Sequence, residues 1–161
     1  MFCYNLGMSK TKHHAKEKFT MRVAVNLILI KDGKALLLRR LNTGWKDGEY
    51  GTVAGHVDGN ETIANSAVRE AKEEAGIDIE ERDLRVVHTQ HRICDRYEYI
   101  DFSVQAGKWS GEPANLEPHK CDDLSWHPLN PLPVNTIPYI RLVFENIEKG
   151  IPFSEYREPG V

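Results

Sequence analysis

The chain has 161 residues, enough for one domain and too few for two comfortable ones; its 40% hydrophobic and 28% charged residues are those of an ordinary folded protein. A net charge of −3 excludes the strongly basic balance of a dedicated nucleic-acid binder, and no DNA partner is indicated. Cys3, Cys94 and Cys121 form an odd, widely spaced set without a CxxC pair, which excludes a disulfide framework and a structural zinc site. Reduced thiols in the cytoplasm are the expectation, with no membrane partner, since no apolar run approaches the roughly 18 residues of a membrane span.

Residues 1–18 are expected to be a poorly ordered tail, and residues 19–161 a single domain. The tail carries lysines but no continuous apolar core, so it is not a secretory signal; Met8 and Met21 are alternative starts. From Met21 to Ile30 the sequence MRVAVNLILI predicts a strand, and Ala35–Arg39 (ALLLR) a second, joined through Asp32-Gly33 as a hairpin. Leu41 to Gly51 is rich in glycine and polar residues and predicts a loop; Thr52-Val53 is a short strand. A helix is expected from about Thr62 to Ala75, capped by Asn60 or Thr62 and closed by Gly76. Leu84–Ile93 and Arg96–Val104 follow as strands, with a bend between them. A polar, proline-bearing segment (107–123) leads to a short strand near Leu124–His127. A last helix runs from about Asn135 to Lys149. Strands on both sides of a central helix predict a mixed α/β sheet with helices on its faces.

The informative segment is that central helix. At ~100° per residue, Ile63, Ala64, Ala67, Val68, Ala71 and Ala75 share one arc of mostly small residues, suited to lie close against a sheet. Glu70, Glu73 and Glu74 stand at i, i+3 and i+4 on the adjoining face, with Arg69 within pairing distance of Glu73. A solvated acidic face is the bland account. It has to bear like-charge repulsion at helical spacing, and carboxylates at the negative end of the helix dipole. A hard divalent cation among the oxygens removes both penalties, and magnesium suits carboxylate ligands.

Gly55, Glu61 and the run from Arg69 to Ile77 (REAKEEAGI) resemble the box of the Nudix family. That box is glycine, five residues, glutamate, seven residues, Arg-Glu, apolar, any, Glu-Glu, any, glycine, apolar. Only Ala71 departs, being small for the first apolar slot. The resemblance spans 23 residues, and its place after a β-hairpin also fits. It implies a Nudix α/β/α sandwich and hydrolysis of a nucleoside diphosphate linked to another group. By the same resemblance, Glu73 and Glu74 are the main metal ligands, and Glu70 binds metal or takes the proton from water. Arg69 orients a glutamate, Glu61 supports the site, and the carbonyl of Ala54 or Gly55 is a further ligand. The implied cofactor is Mg2+, with Mn2+ as substitute.

Outside the box, Arg40 matches a position that meets phosphate in this family, and Glu117 lies where relatives place an extra metal-binding acid. Asp122, Asp123, Trp126 and Asn135 surround a region that recognises the base in nucleotide-sanitising members, although Trp126 also reads as core packing. Tyr50 and Trp45 are candidates to stack on a base, and His56, inside the box, to line the cleft. Sequence markers of ADP-ribose- and NADH-cleaving relatives are missing. By elimination the expected substrate is a (deoxy)nucleoside triphosphate, cut to monophosphate and pyrophosphate. The alternatives are another nucleotide-linked diphosphate, such as a nucleotide sugar or dinucleoside polyphosphate, or a non-catalytic nucleotide-binding module. Homodimers are common among relatives, but no segment declares such an interface.

Overall fold

The computed structural model describes residues 18–161. The expectation of a tail over residues 1–18 lies outside that range, but for Lys18. In chain order the elements are β1 (Arg22–Ile28), β2 (Ile30–Lys31), β3 (Lys34–Arg40), β4 (Tyr50–Gly51), β5 (Val53–His56), α1 (Ile63–Ala75), a 3-10 turn (Glu81–Asp83), β6 (Leu84–Ile93), β7 (Glu98–Ala106), β8 (Cys121–Pro128), α2 (Pro138–Glu148) and β9 (Phe153–Arg157). Among the described residues, no helix is long and apolar enough to cross a membrane.

The strand expected over residues 21–30 is broken at Leu29, because the chain passes there from one sheet to the other. β1 belongs to a five-stranded sheet in the order β5-β1-β7-β6-β9; β2 pairs with β3 in a second sheet. The hairpin between β2 and β3 turns at Asp32 and Gly33, both at positive φ (53° and 71°), the geometry that Asp-Gly favours. β8 runs antiparallel along the whole of β3, while β2 and β4 share its other edge. The first sheet is mixed: β1 is parallel to β7 and β6 to β9, whereas β1–β5 and β6–β7 are antiparallel.

Helices cover the sheets on both sides. Ala67, Ala71 and Ala75 of α1 pack onto Val25, Leu27, Val53 and Val104, while Tyr139, Ile140, Val143 and Phe144 of α2 pack onto Ile28, Leu37 and Tyr50. Leu36 and Leu38 face the first core, and Ala35 and Leu37 the second, so β3 reads as an unbroken apolar run because both its faces are buried. This is an α/β/α sandwich. Thr62 caps α1, its Oγ1 accepting from the Asn65 N–H at 3.1 Å, and Gly76 closes the helix in the left-handed region (φ 68°).

The first sheet also carries buried polar residues on its α2 side. His88 is fully buried; its Nδ1 donates to the Ile151 carbonyl at 2.8 Å and its Nε2 meets the Ser154 hydroxyl at 2.9 Å, fixing β9 beside β6. Arg92 (6% exposed) and Asp101 (1% exposed) form a two-pronged ion pair at 2.6 and 3.2 Å. The Arg92 guanidinium lies 4.1 Å from the Tyr99 ring centre and 4.4 Å from that of Tyr139, so two aromatic rings hold it. Removing one member leaves a buried, unpaired charge. Asp101→Ala is expected to lower stability by about 3–5 kcal/mol, whereas an Arg92→Met/Asp101→Leu double variant recovers most of it. The midpoint of urea unfolding measures both; a single variant within about 1 kcal/mol of the parent would contradict this account.

Candidate active site

A cavity of about 600 Å³ opens between the two sheets. One wall is the end of β5 and the face of α1, where Ala54, Gly55, His56 and Glu74 meet it. The segment after β7 supplies Glu117 and Lys120, and the loop after β3 supplies Trp45. Arg40 reaches the cavity from the end of β3, its Nε donating to the Trp45 carbonyl at 2.9 Å and its guanidinium 4.9 Å from the Trp45 ring centre.

The carboxylates of α1 are organised by Arg69. Its Nε and Nη2 donate to the two Glu61 oxygens (2.9 and 3.1 Å), Nη2 also to the His56 carbonyl (3.0 Å), and Nη1 to Glu70 (2.6 Å) and Glu73 (3.2 Å). The guanidinium and the Asp58 N–H, which Glu61 also accepts at 3.0 Å, hold the Glu61 carboxyl at about 2. Burial pushes Glu70 up, against the pull of Arg69. Burial also raises Glu74 to about 7, partly opposed by the Ala54 N–H that donates to its Oε2 at 3.0 Å; the charges of Glu70 and Glu117 push it further up.

Gly55 has a steric reason. A Cβ there would overlap the Glu70 carboxyl group, so glycine at this position lets that carboxyl lie against β5. The segment after β7 wraps the C-terminal end of α1: the N–H groups of Ala114 and Leu116 donate to the carbonyls of Ala75 (2.9 Å) and Glu74 (3.1 Å). That wrap carries Glu117 to the cavity, where its carboxylate accepts from Lys120 Nζ at 2.7 Å.

Among the described residues, no three His, Cys, Asp or Glu side chains converge as a ready-made metal cage; Arg69 and the Ala54 N–H occupy the oxygens instead. The donor set nonetheless suits a hard cation. It consists of carboxylates, two of them (Glu70 and Glu74) disfavoured as bare charges by burial, beside Gly55, where the absence of a side chain leaves room for the Glu70 carboxyl.

Glu61, Arg69, Glu70 and Glu73 do not themselves line the cavity; they are joined to one another through Arg69, with Glu70 against Gly55, whereas Tyr50 and Asn135 are turned elsewhere. The Tyr50 ring packs in the α2 core, and its hydroxyl donates to Asp123 at 2.5 Å. The Asn135 side chain donates to the Gly48 carbonyl at 2.7 Å, outside the residues that line the cavity. Asp122 pairs with Arg39 at 2.8 Å, and Trp126 stacks on Trp109 (6.0 Å) in the α1 core, so neither faces a base site. Conversely, Asn26, Arg92, Asp101 and Lys120 line the cavity without having been singled out in the sequence. The available signal was a polar residue at an inward position of an apolar strand, as Asn26 is in VAVNLILI.

Comparison with known proteins adds independent findings. A family model described as the NUDIX domain matches residues 20–144. The chain is 29% identical over 111 residues to the uncharacterized Nudix hydrolase YvcI of Bacillus subtilis (strain 168), covering 65% of each chain. It is 28% identical over 122 residues to the NAD-capped RNA hydrolase NudC of Pectobacterium carotovorum, covering 75% of this chain and 45% of that one. The chain thus spans less than two thirds of these relatives. The crystal structure of a MutT NUDIX hydrolase from Burkholderia pseudomallei superposes with a TM-score of 0.73 at 27% identity, covering 79% of this chain and 98% of the other.

Two outcomes are expected of this geometry. Gly55→Ala should weaken divalent-cation binding by about tenfold or more with an unchanged circular dichroism spectrum; unaltered affinity would show that the room beside Glu70 is dispensable. The Glu74 pKa of about 7, against an ordinary 4.5, carries a sign. The metal-free fold keeps a proton that the unfolded chain has lost, so its stability falls as pH rises through that window. Cation binding must expel that proton. Calorimetry in two buffers of different ionisation enthalpy should show proton release at about pH 6 that fades by about pH 8. Equal release at both would remove Glu74 from the site.

Proposed function

The chain belongs to the Nudix family, and from that membership we propose that it is a metal-dependent pyrophosphohydrolase acting on nucleoside triphosphates. The observation that carries this reading is the meeting of Glu74, Gly55, Glu117 and the cationic Arg40 and Lys120 on one cleft, with Glu70 and Glu73 tied to the same helix face by Arg69. The proposed cofactor is Mg2+, or Mn2+ in its place, held by Glu73 and Glu74 with Glu70, Glu117 and the carbonyl of Ala54 or Gly55 as further oxygen donors. When bound, the cation supplies charge neutralisation on the phosphates and a more acidic water.

The side chains divide the remaining work. Arg69, locked by Glu61, aligns the Glu70 and Glu73 carboxylates that it touches. Glu70 stands against Gly55, which lines the cavity, and is the candidate to take the proton from the attacking water; its raised pKa favours that role over a bare charge. Arg40 and Lys120 meet the phosphate oxygens, His56 and Trp45 border the nucleotide, and the departing pyrophosphate leaves through the open side of the cleft. Reduced Cys94 and Cys121 fit a cytoplasmic setting. The relatives named NAD-capped RNA hydrolases favour a second reading, in which the substrate is a larger nucleotide-linked diphosphate.

The test is pyrophosphate or phosphate release from nucleoside triphosphates, nucleotide sugars, dinucleotides and dinucleoside polyphosphates, with Mg2+, Mn2+ or a chelator. Metal-dependent release of pyrophosphate from triphosphates is expected. Glu73→Gln and Glu74→Gln should each lower turnover by roughly a hundredfold or more while the fold persists. Near-normal rates in both variants would overturn the metal assignment.

A further inference from the structure

β9 stands apart from the other strands. It lies past residues 20–144, the part of the chain matched to the family, and it covers the β6 edge of the first sheet while presenting an edge of its own. Its two ends show how that edge is bonded. The Thr89 N–H donates to the Pro152 carbonyl, and the Glu158 N–H to the Ile93 carbonyl, both at 2.9 Å. Successive residues of a strand point their N–H and C=O groups to opposite edges. With Gln90 opposite Ser154 and Arg92 opposite Tyr156, the residues that bond to β6 are Ser154 and Tyr156. The backbone groups of Phe153, Glu155 and Arg157 therefore point outward, and among the described residues β9 pairs with β6 alone. Such an edge is a template for another strand.

The side chains alternate in the same way. Ser154 bonds to His88 and Gln90, and the Tyr156 ring lies 6.0 Å from that of Tyr139, so both face the α2 side. Phe153, Glu155 and Arg157 are turned to the other side and exposed, Phe153 at 51%. The Glu155 carboxylate lies 3.8 Å from His91 Nδ1, yet its side chain is 74% exposed and free to reach across the edge. A glutamate and an arginine two residues apart, on one face of an open edge, make a self-complementary pair.

We propose that β9 pairs antiparallel with β9 of a second copy, joining the two sheets into one. Outward backbone groups must meet outward backbone groups, which limits the two-fold axis to Ser154, Glu155 or Tyr156. An axis at Ser154 sets Phe153 against Glu155 and leaves both charges unpaired. An axis at Glu155 sets two glutamates directly opposite each other, which is destabilising. An axis at Tyr156 places Glu155 of each copy opposite Arg157 of the other, and each such pair exchanges both its backbone hydrogen bonds. Charge thus selects the register centred on Tyr156. The contact uses the same edge of both copies and leaves neither open, so it closes at a dimer. Glu158, the next residue after Arg157, lines the cleft, so the joined strands border both clefts. Edge pairing is a small interface, and the expected dissociation constant is about 1–100 µM.

The experiment is sedimentation equilibrium of the full chain from about 1 µM to about 1 mM, without nucleotide. A monomer–dimer equilibrium is expected. Glu155→Pro removes an outward N–H and no bond to β6, and should raise the dissociation constant about tenfold or more. Arg157→Glu sets like charges opposite each other and should do the same. The exchange Glu155→Arg/Arg157→Glu restores both pairs and should return the constant to within about threefold of the parent. Where the proline variant does not fold, as circular dichroism would show, Arg157→Glu and the exchange decide the matter. A monomer at every concentration overturns the proposal and leaves the edge to a strand of a different protein. A dimer indifferent to both single substitutions overturns it in favour of another surface, and loss without rescue by the exchange overturns the register.

Discussion

The guanidinium of Arg69 sits among Glu61, Glu70 and Glu73, and the face of α1 is arranged around that contact. Carboxylates at helical-neighbour spacing repel one another, and two of them occupy the last turn, where the helix dipole opposes them. A planar group with five donors can engage several carboxylates at once without burying an unpaired charge. Glu61 holds the guanidinium from the entry to the helix, and the His56 carbonyl holds it from the end of β5. Strand, entry loop and helix are thus tied at one point. The absence of a Cβ at Gly55 leaves room for the Glu70 carboxyl that Arg69 engages.

The two halves of the first sheet solve different problems. Toward α1 it presents Val25, Leu27 and Val104, a surface smooth enough for the alanines of the helix. Toward α2 it presents His88, Gln90, Arg92, Asp101 and Ser103, all buried. Some of these are satisfied internally, as His88 and the Arg92–Asp101 pair are, whereas the Asn26 amide is not. His88 is bonded to β9, whereas the Arg92–Asp101 pair and Asn26 border the cleft. A single sheet serves as core on one side and as a polar floor on the other.

The parts of this architecture that follow from local rules were legible in the sequence. Thr62, Gly76 and the alanine arc determine α1 almost residue by residue, and Asp32-Gly33 determines the first hairpin. β9 escaped because Ser154 and Tyr156 face inward while Phe153 is exposed, so its alternation carries no apolar signal; the bonds of Ser154 to His88 and Gln90 do the holding. β8 begins at Cys121, earlier than its apolar residues announce, because it follows β3 to the end at Arg40. Box spacing located the carboxylates and Arg69 in one place. Spacing could not show that Tyr50 turns into the α2 core, since that depends on Asp123, which is 73 residues away. Nor could it show that Asn26, Asp101 and Arg92 border one cleft, which only strand pairing brings about.

The segment between β7 and β8 acts as a measured strap. Ala114 and Leu116 are bonded to the last carbonyls of α1, and Asp78 and Ser110 pair at its beginning, so its length is fixed at both anchor points. Glu117 lies one residue past the second anchor. Insertion or deletion between Leu116 and Glu117 would displace that carboxylate without touching the core, whereas the same change in the loop at Thr43–Asp47 would alter only the rim. Variation in chain length is therefore a lever on the chemistry at one border of the cleft and merely on its entrance at the other.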